Sequence, residues 1–162
     1  MINLKGSGIV LEVGLKAPDF NLLNEKGENV TLSDFKNHRV VLYFYPKDDT
    51  PGCTTQACSY RDHFEEFVKR GYQIVGISKD DLKSHQKFLE KYSLNFTLLS
   101  DPDTTVIQEY GCWKEKSLYG KKYMGTARTT FILDVDNIIL KIFENVDPKE
   151  DVQQVLTFID AL

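Results

Sequence analysis

The sequence predicts an α/β fold with a parallel centre and an antiparallel edge. Apolar, β-rich runs alternate with stretches of helical periodicity through most of the chain. The last two runs are separated only by Asp136-Asn137, and the chain then closes on an amphipathic stretch. Strand–helix alternation implies right-handed crossovers and parallel pairing, whereas a tight turn between consecutive strands implies an antiparallel hairpin.

In chain order, the strands are RVVLYFY (39–45), YQIVGIS (72–78), FTLLS (96–100), TTFILD (129–134) and IILKIF (138–143). Between the first two, Ala57, Tyr60, Phe64, Phe67 and Val68 form a helical stripe. Leu82, His85, Leu89 and Tyr92 form a second stripe, and Val152, Val155, Leu156 and Ile159 a third. Ser78 with Asp81, Ser100 before Pro102, and Asp147 before Pro148 read as helix starts. A short helix over about 102–110 is followed by a loop. No repeat, linker or low-complexity segment interrupts this order. It is the arrangement of a thioredoxin-like fold: a central mixed sheet flanked by helices, with N-terminal extension strands.

A chain of 162 residues reads as one domain, 1–162, long enough for a sizeable core. The net charge of −4, with both signs scattered, argues against nucleic acid as a partner. The opening MINLKGSGIVLEVGLKAPDF has no continuous apolar run, so it reads as neither a signal peptide nor a spanning helix, with no membrane partner expected. Three cysteines are an odd number for a disulfide framework, and a chain of this length does not need one. The expectation is a cytoplasmic protein with reduced thiols.

The stretch YFYPKDDTPGCTTQAC (Tyr43–Cys58) sets two cysteines five positions apart where a strand gives way to a helix. Thr50 suits the N-cap and Pro51 the first helical position. Cys53 then falls near the third helical residue, where backbone N–H groups are unsatisfied and the helix dipole is positive. A thiolate is stabilised there, and Gly52 lets the backbone approach the sulfur closely. The plain alternative, a small buried hydrophobe, leaves that anion-friendly setting unexplained.

Pro46, Thr50 and Cys53 match the P-x-x-x-[T/S]-x-x-C motif of peroxiredoxins, and GTARTTFILD carries an arginine, Arg128. The whole stretch resembles the subgroup called bacterioferritin comigratory protein, or peroxiredoxin Q. The similarity runs from Ala17-Pro18-Asp19-Phe20 to the C-terminal helix. The resemblance implies a thiol peroxidase in which Cys53 attacks hydrogen peroxide or an organic hydroperoxide. Thr50 Oγ then bonds the sulfur and the peroxide, Pro46 shields the thiolate, and Arg128 steadies the developing charge. Cys58 stands where many members carry a resolving cysteine and some do not, so the resemblance implies an intramolecular Cys53–Cys58 disulfide; spacing alone also allows a helix-surface cysteine. Electrons come from thioredoxin or a similar dithiol, no metal, haem or flavin is needed, and a monomer is expected.

Cys112 departs from the subgroup, where that position is usually apolar. It reads either as a small buried side chain near Trp113 or as an alternative resolver or intermolecular link. His38, His63 and His85 do not read as catalytic, and zinc held by Cys53, Cys58, His63 and Cys112 would need a spacing unlike paired zinc ligands. Lys47-Asp48-Asp49, Lys114-Glu115-Lys116 and Lys121-Lys122 read as solvated faces. Two other functions compete. A disulfide oxidoreductase is disfavoured by the absence of CxxC, and a redox-sensing or holdase module would keep its role without Cys53.

Overall fold

The computed structural model describes residues 2–3 and 8–162. Ile2–Asn3 (β1) and Gly8–Ile9 (β2) form a small antiparallel pair. Then follow Asn21–Asn24 (β3), Asn29–Thr31 (β4), a 3-10 turn at Leu32–Phe35 and Arg39–Phe44 (β5). Helices Pro51–Asp62 (α1) and Phe64–Lys69 (α2) lead to Tyr72–Ser78 (β6), and Leu82–Tyr92 (α3) leads to Thr97–Ser100 (β7). Thr105–Glu109 (α4) precedes a hairpin of Trp113–Leu118 (β8) and Lys121–Thr126 (β9). Thr129–Leu133 (β10), Ile139–Phe143 (β11) and Asp151–Asp160 (α5) complete the chain.

The main sheet runs β11-β10-β5-β6-β7-β3-β4. Its centre, β5-β6-β7, is parallel, as the two helical crossovers require; β10 and β11 join antiparallel on one side, and β3 joins β7 antiparallel on the other. The β10–β11 turn uses Asn137 at a positive φ of 63°, a conformation that asparagine tolerates.

Because successive strand residues point to opposite faces, a strand covered on both sides must be apolar at every position. In β5, Val41 and Tyr43 enter one core with Cys53, Ala57 and Tyr60 of α1, Phe88 of α3 and Val155 of α5. Val40, Leu42 and Phe44 enter the other core with Val106, Ile107, Tyr110 and Cys112. The sheet therefore lies between two cores, with α1 and α5 on one side and α4 on the other.

Several local expectations are corrected. The first helical stripe breaks at His63, between α1 and α2, and Val68 ends up exposed. Phe88 belongs to the buried stripe of α3, which is capped by Asp81 alone, its carboxylate accepting from the Ser84 N–H. Ser78 ends β6 instead. The last helix begins at Asp151 and not at Pro148, because Pro148–Glu150 first make a turn closed by the Glu150 N–H to the Asp147 carbonyl. The segment expected as a loop and solvated lysines is the β8–β9 hairpin.

Candidate active site

Cys53 is the third residue of α1 and 1% exposed. Pro51 opens the helix, where its missing N–H costs nothing. Thr50 has the extended backbone of an N-cap, yet its side chain does not cap: the hydroxyl donates to the Lys47 carbonyl at 2.8 Å. The first-turn N–H groups are thus left without a side-chain cap. A methyl group on Gly52 would sit 3.2 Å from Arg128 Nη2 and 3.3 Å from Pro148, so the glycine makes room for the guanidinium. The sequence had suggested room for the sulfur.

Arg128 leaves the short link between β9 and β10, its carbonyl held by the Val146 N–H. Its Nη2 lies 3.5 Å from Cys53 Sγ, and Nη1 donates to Gln56 Oε1 at 2.7 Å. Gln56 Nε2 in turn donates to the Asp151 carboxylate at 2.9 Å. Neither Gln56 nor Asp151 was singled out from the sequence. The signal for Gln56 was present: three residues after Cys53, it is a polar side chain on the inward face of a helix.

Two further groups flank this cluster. Tyr43 Oη is buried without a partner among the described residues, and burial, followed by the charge of Cys53, pushes its pKa well above 10. Lys116 of the β8–β9 hairpin is half-buried. Burial depresses its pKa, the Arg128 charge depresses it further, and Cys53 opposes the shift. A lysine read as a solvated charge therefore faces the site.

The remaining candidates are dispersed. Cys58 lies farther along α1 and is half-buried, and the helix runs unbroken between the two cysteines. Pro46 follows β5 and is half-buried. Cys112 is buried in the opposite core, where desolvation pushes its thiol up to about 12 and its Sγ donates to the Tyr110 carbonyl. The four zinc candidates are consequently not brought together. His38 is exposed, and His63 Nδ1 donates to the Ser59 carbonyl. His85 is fully buried, with Nδ1 2.7 Å from the Asp48 carboxylate and Nε2 3.0 Å from the Leu99 carbonyl. Asp48 also accepts from Tyr45 Oη and Ser84 Oγ, so this network anchors the loop that leads into α1.

The AhpC/TSA family model matches residues 13–142. The chain is 44% identical to peroxiredoxin Bcp of Bacillus subtilis over 148 residues, which is 91% of this chain and 94% of that protein. It is 47% identical to peroxiredoxin Bcp of Escherichia coli K12 over 135 residues, 83% and 86% of the two chains. Among solved structures, it resembles bacterioferritin comigratory protein of Xanthomonas campestris, studied for alkyl peroxide reduction, with a TM-score of 0.86 and 34% identity over 93% of this chain and 98% of that one. It also resembles a peroxiredoxin Q variant of Xylella fastidiosa, with a TM-score of 0.89 and 30% identity over 95% and 98%. The chain belongs to the AhpC/TSA family and, within it, to the bacterioferritin comigratory protein or peroxiredoxin Q group of thiol peroxidases.

Proposed function

We propose that Cys53 is the peroxidatic nucleophile for hydrogen peroxide and organic hydroperoxides, and that Cys58 resolves the oxidised sulfur. The observation that carries this reading is the 3.5 Å contact between Arg128 Nη2 and Cys53 Sγ at the buried start of α1. The thiolate attacks the terminal peroxide oxygen and the O–O bond breaks. The leaving alkoxide or hydroxide takes up a proton, leaving a sulfenic acid on Cys53. The guanidinium and the first-turn N–H groups favour negative charge on the sulfur and on the departing oxygen. Thr50 has its one hydroxyl hydrogen committed to Lys47, so its oxygen lone pairs are free to accept from the peroxide O–H. Pro46, half-buried between β5 and α1, shields the thiolate from water.

The Cys58 thiol then displaces water from the sulfenic acid, forming the Cys53–Cys58 disulfide, and thioredoxin or a similar dithiol restores both thiols. Sulfur supplies both electrons, so the cycle needs no metal, haem or flavin. We read residues 1–162 as one domain, a cytoplasmic monomer without nucleic-acid or membrane partners. The scattered charge of both signs speaks against a nucleic-acid partner, and no helix among the described residues is long and apolar enough to cross a membrane.

The test is peroxide consumption coupled to thioredoxin. Cys53→Ser should abolish it. Cys58→Ser should keep a single peroxide-consuming turnover and lose recycling through an intramolecular disulfide. Steady turnover by Cys53→Ser would overturn the reading.

A further inference from the structure

Asp151 is fully buried at the first turn of α5, and its carboxylate accepts four side-chain hydrogen bonds. Oδ2 takes Tyr60 Oη at 2.6 Å, Gln56 Nε2 at 2.9 Å and Thr130 Oγ1 at 2.9 Å, while Oδ1 takes Gln154 Nε2 at 3.0 Å. These partners come from α1, β10 and α5, so one side chain ties the helix bearing Cys53 to the sheet and to the C-terminal helix.

A carboxylate can only accept, so every partner must present a hydrogen to it. For Gln56 this has a directional consequence. An amide has a donating end and an accepting end, and with Nε2 turned to Asp151 the Oε1 end must face the other way. There it meets Arg128 Nη1 at 2.7 Å. The reversed amide would set an NH2 group against a guanidinium, which has no acceptor. Arg128 would then lose the bond that fixes Nη1 while Nη2 lies at the sulfur.

We propose that Asp151 is a positioning residue for the peroxide step: by fixing the orientation of the Gln56 amide, it holds the Arg128 guanidinium against Cys53. This rests on the reading of Cys53 and Arg128 given above. Asp151 itself touches neither the sulfur nor the peroxide.

The experiment measures the second-order rate of Cys53 oxidation by hydrogen peroxide in single turnovers, with folded protein verified by circular dichroism. Asp151→Ala should slow it about tenfold, as loss of a charge-assisted orienting bond near a reacting centre does. Adding Gln56→Glu to Asp151→Ala should restore the rate to within about threefold of wild type, because a carboxylate at 56 accepts from Arg128 whichever way it is turned. A purely structural role would leave that double variant as slow as Asp151→Ala. Should Asp151→Ala not fold, Gln56→Leu interrupts the same relay and should show the same tenfold loss. A wild-type rate for Gln56→Leu, or no recovery by Gln56→Glu, overturns the proposal. Arg128→Ala separates the two levels. If it alone reacts at the wild-type rate, the underlying site reading fails; if it is slow while Gln56→Leu is fast, only the relay fails.

Discussion

Cys53 and Cys112 lie on opposite faces of the central sheet, the first in the core under α1 and the second in the core under α4. The folded chain thus holds the two thiols in separate cores, an arrangement that favours Cys58 over Cys112 as the partner of Cys53. Cys112→Ser should retain peroxide turnover and still form an intramolecular disulfide. In the wild type, Cys112 should resist alkylation until the protein is unfolded, since it is buried and burial holds its thiol at about 12. A peptide joining Cys53 to Cys112 after peroxide treatment would contradict this.

Arg128 reaches two acceptors with two arms, Sγ of Cys53 and Oε1 of Gln56. Arg128→Ala should therefore lower the peroxide rate by about a hundredfold, the scale of removing one preorganised donor from an active site. Arg128→Lys should recover only part of this, because one ammonium cannot reproduce a planar fork contacting both partners. The guanidinium is not part of the packed core, so far-UV circular dichroism should be unchanged. An alanine variant as fast as wild type would remove Arg128 from the chemistry.

His85 makes stability depend on pH. Burial alone would lower its pKa, but the hydrogen bond and charge of Asp48, with the Leu99 carbonyl and Asp80, outweigh it and raise it above 6.5. Both ring nitrogens face acceptors, which only the imidazolium satisfies together. A raised folded-state value means that the stabilisation is complete below about pH 6.5 and is lost as pH rises through the folded value. Urea unfolding should show stability falling over that window by no more than about 1.4 kcal/mol per pH unit, the limit for one proton. His85→Gln should flatten that part of the profile. Stability that rose there in a His85-dependent way would contradict the assignment.

Tyr43 Oη is buried, stacked ring on ring with Tyr60, and has no partner among the described residues. Tyr43→Phe keeps the ring and removes a desolvated hydroxyl. It should leave stability unchanged or raise it by up to about 1 kcal/mol in chemical denaturation. A loss of more than that would mean that the hydroxyl is bonded in solution.

The parts legible in the sequence were those with strong local signals. Arg39–Phe44 and Tyr72–Ser78 are apolar at nearly every position because both faces are covered, so their runs delimit the strands closely. The Trp113–Thr126 hairpin gave no such signal. It stands outside the main sheet, most of its side chains are exposed, and full burial is confined to Gly125 and Thr126 at its base, with Trp113 and Lys116 half-buried. Thr50, Cys53 and Arg128 were identified by spacing and resemblance, but the Gln56–Asp151 bond joins residues 95 positions apart and leaves no local trace. The start of α5 was misplaced for a related reason. Pro148 suits a first helical position by local rule, but the chain first makes a turn closed by the Glu150 N–H to the Asp147 carbonyl, and the helix starts at Asp151, the centre of that buried network.

Cys53 and Cys58 share an uninterrupted helix, which sets a geometric limit on their chemistry. Residues five apart in an α-helix are separated by about 7.5 Å of rise and about 140° of rotation, placing their Cα atoms about 8–9 Å apart. A disulfide needs less than about 7 Å, whereas residues three apart, as in CxxC, lie only about 5 Å away. Cys53 also faces the core while Cys58 is half-exposed. The bond therefore requires the first turns of α1 to unwind, breaking a few backbone hydrogen bonds such as that from the Thr54 N–H to the Thr50 carbonyl. Each is worth about 1 kcal/mol net, which disulfide formation can offset. On the proposed assignment of Cys53 and Cys58, the cycle alternates between a wound turn that presents Cys53 to peroxide and an unwound one that joins the sulfurs. Hydrogen exchange should show protected amides over residues 54–60 in the reduced protein and their loss on oxidation. Protection that persisted unchanged in a protein bearing the Cys53–Cys58 bond would rule this mechanism out.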